Sequence, residues 1–227
     1  MNKKIKIAII GYGKRGQTHL RNYLKLGDVE IVAICDVNKI NVSNHNIKYY
    51  KNFKTMINLE YIDAISICTP TNEHYLISLY CLKKGIHVLC EKPITITTKQ
   101  AQKLSCVAHK NKLILHVGYH LKFDNLINKL KLIVGSRELG KILMIRARQA
   151  HNWGGLKPFG WSLDKTQSGG GTIIDNASHY LNLFEYLLGD IEEVCAFSNN
   201  LSFQSNVEDN AIIITKFNTG ILGEIET

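Results

Sequence analysis

No stretch of these 227 residues approaches the ~18 uninterrupted apolar residues of a membrane span, so nothing here reads as a transmembrane helix. The lysines among Met1–Lys6 lead into a short strand-like segment with no small-residue cleavage site behind it, which argues against a secretory leader. None of the six cysteines (Cys35, Cys68, Cys81, Cys90, Cys106, Cys195) stands at metal-site spacing from another. They read as buried thiols of a reducing cytoplasm, and no metal is expected. Repeats and low-complexity tracts are also lacking. Ordinary hydrophobic (45%) and charged (21%) contents exclude a disordered or fibrous chain.

Acidic residues are scarce in one half only. Residues 1–118 hold 18 Lys+Arg against 7 Asp+Glu, whereas 119–227 hold 10 against 12. The asymmetry suggests two regions. The lysines of the basic half are scattered without interleaved aromatic platforms, so they read as solvated helix faces, and no nucleic acid is expected as a partner.

What is present is alternation. Apolar runs at Ile5–Ile10, Val29–Cys35, Ala64–Cys68, Ile86–Cys90 and Leu113–Val117 are separated by helix-period segments. One segment carries a Leu76, Leu79 and Tyr80 stripe closed by Gly85. Another opens with capping-box spacing at Thr97 and Gln100. This predicts an α/β fold whose first domain, 1–118, is a doubly wound parallel sheet covered by helices on both faces. After Gly118 the pattern predicts a helix over Phe123–Val134, a strand over Ile142–Ala150 and a helix over Thr172–Leu188. Strands over Val194–Ser198, Asp209–Phe217 and Ile221–Ile225 come next, the last two joined by a hairpin turn at Asn218-Thr219-Gly220. The second domain, 119–227, is therefore expected to be α+β with a mainly antiparallel sheet.

Gly11-Tyr12-Gly13-Lys14-Arg15-Gly16 is a G-x-G-x-x-G sequence between the first strand and the first helix. Its glycines suit a tight turn, close approach to a pyrophosphate, and helix–strand packing, and the helix N-terminus offers free N–H groups to phosphate. Asp36 ends the second strand, where a carboxylate can accept both ribose hydroxyls of an adenosine. Together these predict a Rossmann domain binding NAD; the nearby Lys39 leaves NADP possible. Thr69-Pro70-Thr71-Asn72-Glu73-His74 and Glu91-Lys92-Pro93 come after the next strands, at the sheet edge where such folds bind ligands. Thr69, Pro70, Asn72, His74, Glu91 and Lys92 therefore join the candidate cofactor set.

In the second half, Asp175 and His179 share one face of the expected helix, where the carboxylate can orient the imidazole as a proton acceptor. By spacing alone a helical surface ion pair is the better reading. The preceding Ser168-Gly169-Gly170-Gly171 favours a site, because glycines admit close approach of backbone to a ligand. His19, His45, His87, His109 and His116 lack such company and read as packing or surface residues.

The glycine motif with Asp36, the Thr69-Pro70 loop with His74, the Glu91-Lys92-Pro93 triplet and Gly171-x-x-x-Asp175-x-x-x-His179 resemble, in order and spacing, the Gfo/Idh/MocA oxidoreductases, the glucose-fructose oxidoreductase and inositol 2-dehydrogenase group. The resemblance runs over essentially the whole chain. It implies a Rossmann domain followed by an α+β domain whose sheet floors a cleft where NAD(P) and a sugar or polyol meet. The family's lysine maps to Lys92 and its Asp–His pair to Asp175 and His179, while Tyr119 and His120 occupy the stretch that borders the nicotinamide. The expected reaction is hydride transfer between the cofactor and a secondary hydroxyl, with Lys92 on the reacting oxygen, His179 as base and Asp175 orienting it or binding a neighbouring hydroxyl; either Lys92 or His179 could pass the proton. A non-catalytic dinucleotide- or sugar-sensing regulator is the alternative, which the intact Lys92, Asp175 and His179 set disfavours. The resemblance further implies a homo-oligomer in the full-length form, and a chain ending at Thr227 within the final hairpin reads as C-terminally truncated, its second domain incomplete.

Overall fold

The computed structural model describes residues 4–40, 46–150, 160–202 and 204–227. The chain divides into two compact units, Met1–Gly118 and Tyr119–Thr227. Among the described residues no helix is long and apolar enough to cross a membrane.

Unit 1 runs β1 (Ile5–Ile10), α1 (Lys14–Tyr23), β2 (Val29–Cys35), β3 (Lys48–Tyr50), α2 (Phe53–Leu59), β4 (Ala64–Ile67), α3 (Thr71–Lys83), β5 (His87–Cys90), α4 (Thr98–Lys110) and β6 (Leu115–Val117). All strands are parallel, in the order β3-β2-β1-β4-β5-β6. The order reverses between β1 and β4, which opens a crevice at their carboxyl ends. Alternate residues of β1 face opposite layers. Ile7 and Ile9 pack with Leu20 of α1, while Ala8 and Ile10 pack with Met56 of α2 and Ile77 of α3. Each fully buried aliphatic side chain contributes about 2 kcal/mol by leaving water. The doubly wound parallel sheet expected from the apolar runs is therefore present.

Two local expectations need correction. Of the expected stripe, Leu79 and Tyr80 are half-buried against the core but Leu76 is 61% exposed, and α3 buries Ile77, Cys81 and Leu82 more deeply. The reason is that α3 packs both on β4 and β5 and against α4, so its apolar residues surround the helix. In addition, β3 and α2 occupy a stretch with no strong periodicity. β3 has three residues, and α2 is started by Asn52, whose Oδ1 accepts from the amides of Lys54 (2.9 Å) and Thr55 (3.1 Å). The start of α4 agrees with expectation, since Thr97 Oγ1 accepts from the Gln100 amide.

Unit 2 contains a 3₁₀ turn (His120–Phe123), α5 (Asn125–Ser136), β7 (Met144–Arg148), a second 3₁₀ turn (Gly160–Leu163), the short α6 (Lys165–Ser168), a π-type turn (Ile173–Ala177), α7 (Ser178–Leu188), β8 (Ile191–Asn199), β9 (Asn210–Phe217) and β10 (Leu222–Glu226). The sheet order is β7-β10-β9-β8; β10 pairs parallel with β7, and the other pairs are antiparallel. The expected hairpin is present, with Gly220 at φ +80° and its amide donating to Phe217 O at 2.8 Å. Phe184 of α7 packs with Ile213 and Phe217 of β9 and Ile225 of β10, giving this sheet one helix-covered face. The expected single α-helix over Thr172–Leu188 is different. Its first part, Ile173–Ala177, is wound as a wide i→i+5 turn, and α-helix begins only at Ser178.

Candidate functional site

The glycine sequence closes the crevice in unit 1, and its three glycines have three different reasons. Gly11 sits at φ +87°, and a Cβ there would lie 2.6 Å from the carbonyl carbon and oxygen of Cys68. A Cβ on Gly16 would lie 2.0 Å from Gly11 O, so α1 can reach β1 only without one. Around Gly13 nothing lies within 4 Å of a Cβ position. Gly13 also caps α1 in an extended conformation without a side-chain hydrogen bond. The first turn of α1 thus presents backbone N–H groups and the positive end of the helix dipole to open space, flanked by the exposed Lys14 and Arg15. That arrangement suits a phosphate, and the residues present fit a dinucleotide.

Asp36 stands beside it. Its Oδ2 accepts from the Tyr12 amide at 2.7 Å and its Oδ1 from the Asn38 amide at 2.8 Å. One lone pair on each oxygen is spoken for and one remains, which suits two adjacent hydroxyls. Tyr49 supports the turn, its hydroxyl lying 2.8 Å from Asp36 O and 2.5 Å from Asn38 O.

On the other side of the crevice, Thr69 and Pro70 lead into α3. Thr69 Oγ1 is shielded and makes no hydrogen bond among the described residues, and Asn72 is exposed in the first helical turn. His74 differs from its neighbours. It is 1% exposed, with Nε2 2.9 Å from Thr69 O and Nδ1 2.7 Å from Pro93 O. Burial, the larger influence, holds its pKa below that of free imidazole against the pull of the two carbonyls and of Glu91 and Glu73. Both nitrogens face main-chain carbonyls, so its role is to tie the Thr69 loop to the Glu91-Lys92-Pro93 turn rather than to touch a ligand.

Glu91 is likewise turned inward. Its Oε1 lies 2.8 Å from Nε2 of His19, whose Nδ1 lies 2.6 Å from Ser66 Oγ; Tyr23 Oη lies 3.2 Å from the same Ser66 oxygen. Both members of the His19–Glu91 pair are nearly buried, with side-chain exposures of 16% and 14%. His19 is thus no isolated packing residue. The visible clue is positional: Gly16, His19, Leu20 and Tyr23 occupy the i, i+3, i+4, i+7 row that α1 lays on the sheet. A polar residue in such a row needs a partner. Lys92, half-buried, comes directly after Glu91 beyond the end of β5.

In unit 2 the wide turn and the start of α7 bring separate sequence motifs together. His179 is half-buried, with its ring centroid 5.0 Å from that of His120 and 5.8 Å from that of Tyr119, both edge-on. Burial raises the Tyr119 pKa, against a hydrogen bond with Ser178 and with help from the Glu185 charge. Asp175 is exposed on the wide turn. The glycine run before it serves another purpose than expected. A Cβ on Gly171 would lie 1.8 Å from Glu208 O, so the close approach is to the chain's own backbone. Glu208 lies 37 residues downstream of Gly171, and no local signal marks it. Among the described residues no His, Cys, Asp or Glu cluster could hold a metal ion.

Residues 5–119 match the family described as oxidoreductase family, NAD-binding Rossmann fold, and residues 127–227 match the GFO/IDH/MocA C-terminal domain. The chain belongs to the Gfo/Idh/MocA oxidoreductase family. Among curated members, it is 28% identical to the myo-inositol 2-dehydrogenase of Thermotoga maritima over 98% of this chain and 68% of that protein. It is 30% identical to the D-glucoside 3-dehydrogenase of Escherichia coli K12 over 82% of this chain and 54% of that one. Among solved Gfo/Idh/MocA-type structures, the myo-inositol 2-dehydrogenase of Lactobacillus plantarum superposes with TM-score 0.88 at 25% identity, over 99% of this chain and 69% of that one. The WlbA dehydrogenase of Bordetella pertussis, solved with NADH and UDP-GlcNAcA, gives 0.89 at 20% identity, over 100% of this chain and 67% of that one, and shows the fold. The chain thus spans from about half to about two thirds of the length of these relatives.

Proposed function

We propose that this protein is an NAD-dependent dehydrogenase acting on a secondary hydroxyl of a sugar or cyclic polyol. The observation that carries the cofactor half is the open space at Gly13, framed by two glycines that packing requires and by an Asp36 carboxylate with spare lone pairs. Gly11, Tyr12, Gly13, Lys14, Arg15 and Gly16 would hold the pyrophosphate through main-chain amides and the helix dipole, and Asp36 the adenosine ribose. Thr69, Pro70 and Asn72 would border the dinucleotide from the β4 side, and His120 would border the nicotinamide. A carboxylate at position 36 repels a 2′-phosphate, which favours NAD over NADP.

When bound, the dinucleotide supplies the redox chemistry by exchanging a hydride with the carbon bearing the hydroxyl. The chain's own task is to orient that carbon and manage one proton. Lys92, on a turn anchored through Glu91 and Pro93, would donate to the reacting oxygen and stabilise its developing negative charge. His179, set between His120 and Tyr119, would take the hydroxyl proton, with Asp175 orienting it. The names of the inositol and D-glucoside dehydrogenases support a ring hydroxyl as the target. Residues Trp153–Ser168 are expected to select the substrate, and 151–159 lie outside the described residues. The six unpaired cysteines, of which Cys106 and Cys195 are exposed and not buried as expected, support a cytoplasmic location, and the exposed Phe197, Ile212 and Ile214 on β8 and β9 support self-association through that sheet.

Calorimetric titration with NAD and with NADP tests the cofactor half. Tighter binding of NAD is expected, and conversion of Asp36 to Ala should erase the difference. Absence of binding to either dinucleotide would remove the assignment.

A further inference from the structure

The segment that carries Asp175 and His179 is held at its start by Glu208, alongside the Thr172–Thr227 hydroxyl contact and the burial of Ala177 in the core. Glu208 Oε1 accepts from the Gly171 amide at 2.9 Å and from the Ile173 amide at 3.1 Å, while Glu208 O accepts from the Thr172 amide at 2.9 Å. Three consecutive amides, which at an ordinary helix start would have no partner within the helix, are thus captured by one side chain and its own carbonyl. The sequence around them is shaped to allow it. A Cβ at Gly171 would meet Glu208 O at 1.8 Å, and one at Gly170 would meet Ile174 Cγ1 at 2.8 Å.

Glu208 in turn is fixed by its chain neighbours on both sides. It lies two residues before β9, whose Ala211, Ile213 and Phe217 are buried, and directly after the buried Val207. Immediately beyond the captured amides the chain winds into the wide turn Ile173–Ala177, which contains Asp175 and delivers His179 into the first turn of α7. Glu208 therefore ties the start of that turn to the strand side of unit 2.

We propose that Glu208 is the positioning residue for Asp175 and His179, holding the wide turn in the rotation from which His179 takes the substrate proton. The proposal rests on the assignment of His179 as proton acceptor. In this role the carboxylate acts through the amides of 171–173. Charge-assisted bonds to two N–H groups make it a stiff connection. A displacement of about 1 Å at a reacting group lowers turnover by roughly 100-fold.

The test uses the full chain with three variants. Glu208→Gln keeps an acceptor oxygen at the same reach; Glu208→Asp keeps the charge and withdraws it by one methylene; Glu208→Ala removes both. Expected are kcat within about threefold of wild type for Gln, losses of roughly 10- to 100-fold for Asp and Ala, and a displaced pH profile of kcat in the latter two. NAD affinity should stay unchanged in all three. Amide hydrogen exchange gives a readout apart from turnover: Gly171, Thr172 and Ile173 should be protected in the wild type and in Gln, and should exchange faster in Asp. Should the Ala variant fail to fold, the Gln and Asp pair carries the comparison. Wild-type kcat and pH profile in folded Glu208→Asp, with His179→Asn inactive, would overturn the positioning role. An active His179→Asn would instead overturn the proton-acceptor assignment on which it rests.

Discussion

The imidazole of His19 and the carboxylate of Glu91, 72 residues apart in the chain, meet at 2.8 Å and join α1, which follows the glycine loop, to the turn that carries Lys92. Burial alone would raise the Glu91 pKa. The hydrogen bond and charge of His19, the Arg15 charge and the Lys92 main-chain amide outweigh it, so the group lies below the ordinary 4.5.

That sign sets a pH dependence. A carboxylate whose pKa is depressed in the folded state contributes stability that is complete above its unfolded value and is lost as pH falls through its folded value. Glu91→Gln should cost about 1–3 kcal/mol at pH 7, the range for a hydrogen bond to a charged group. The gap to wild type should hold down to about pH 4.5 and shrink below it. Urea unfolding across pH 7 to 3 measures this; a gap that persists undiminished at pH 3 would show that the carboxylate charge is not what holds the turn.

The glycines of the loop separate folding from binding. Gly16→Ala places a methyl 2.0 Å from Gly11 O and should destabilise unit 1 by about 3 kcal/mol. Gly13→Ala meets nothing and should leave the unfolding midpoint within the error of a surface substitution, about 0.5 kcal/mol. Its NAD affinity should nevertheless fall by roughly tenfold or more, because the new methyl enters the space a pyrophosphate would fill. Denaturant melts and calorimetry on the two proteins check both halves, and undiminished NAD binding by Gly13→Ala would place the phosphates elsewhere.

Lys92→Ala should reduce turnover by roughly 100-fold while NAD affinity stays within about threefold, the pattern of a group that acts on developing charge. Steady-state rates on a panel of sugars and cyclic polyols, with cofactor titration alongside, distinguish this from a binding defect. Near-normal turnover would remove Lys92 from the reaction.

Features with a local cause were legible in the residues themselves. The alternation of β-branched runs with helix-period segments dictates a parallel sheet, because strands apolar on both faces must be covered twice. Gly11, Gly13 and Gly16 were readable because a turn between strand and helix restricts backbone and side-chain space within a few residues, and Asp36 because it ends the adjacent strand. The Asn218-Thr219-Gly220 hairpin was readable for the same reason.

Features that depend on partners distant in the chain emerged only in the folded molecule. Sequence periodicity reports one buried face, so it placed the core of α3 on Leu76 when a helix packed on two neighbours buries Ile77 and Cys81. It could not find the partner of His19, which comes from the end of β5 through parallel pairing, nor tell that His74 is consumed by two carbonyls. The glycines before Asp175 were noticed, but their reason lies on the strand side of unit 2, where Glu208 needs the room a Cβ would take. Side-chain spacing along a helix assumes that the helix is regular. Here three amides captured by a residue before β9 lead into a wider turn, and only the assembled sheet supplies that residue.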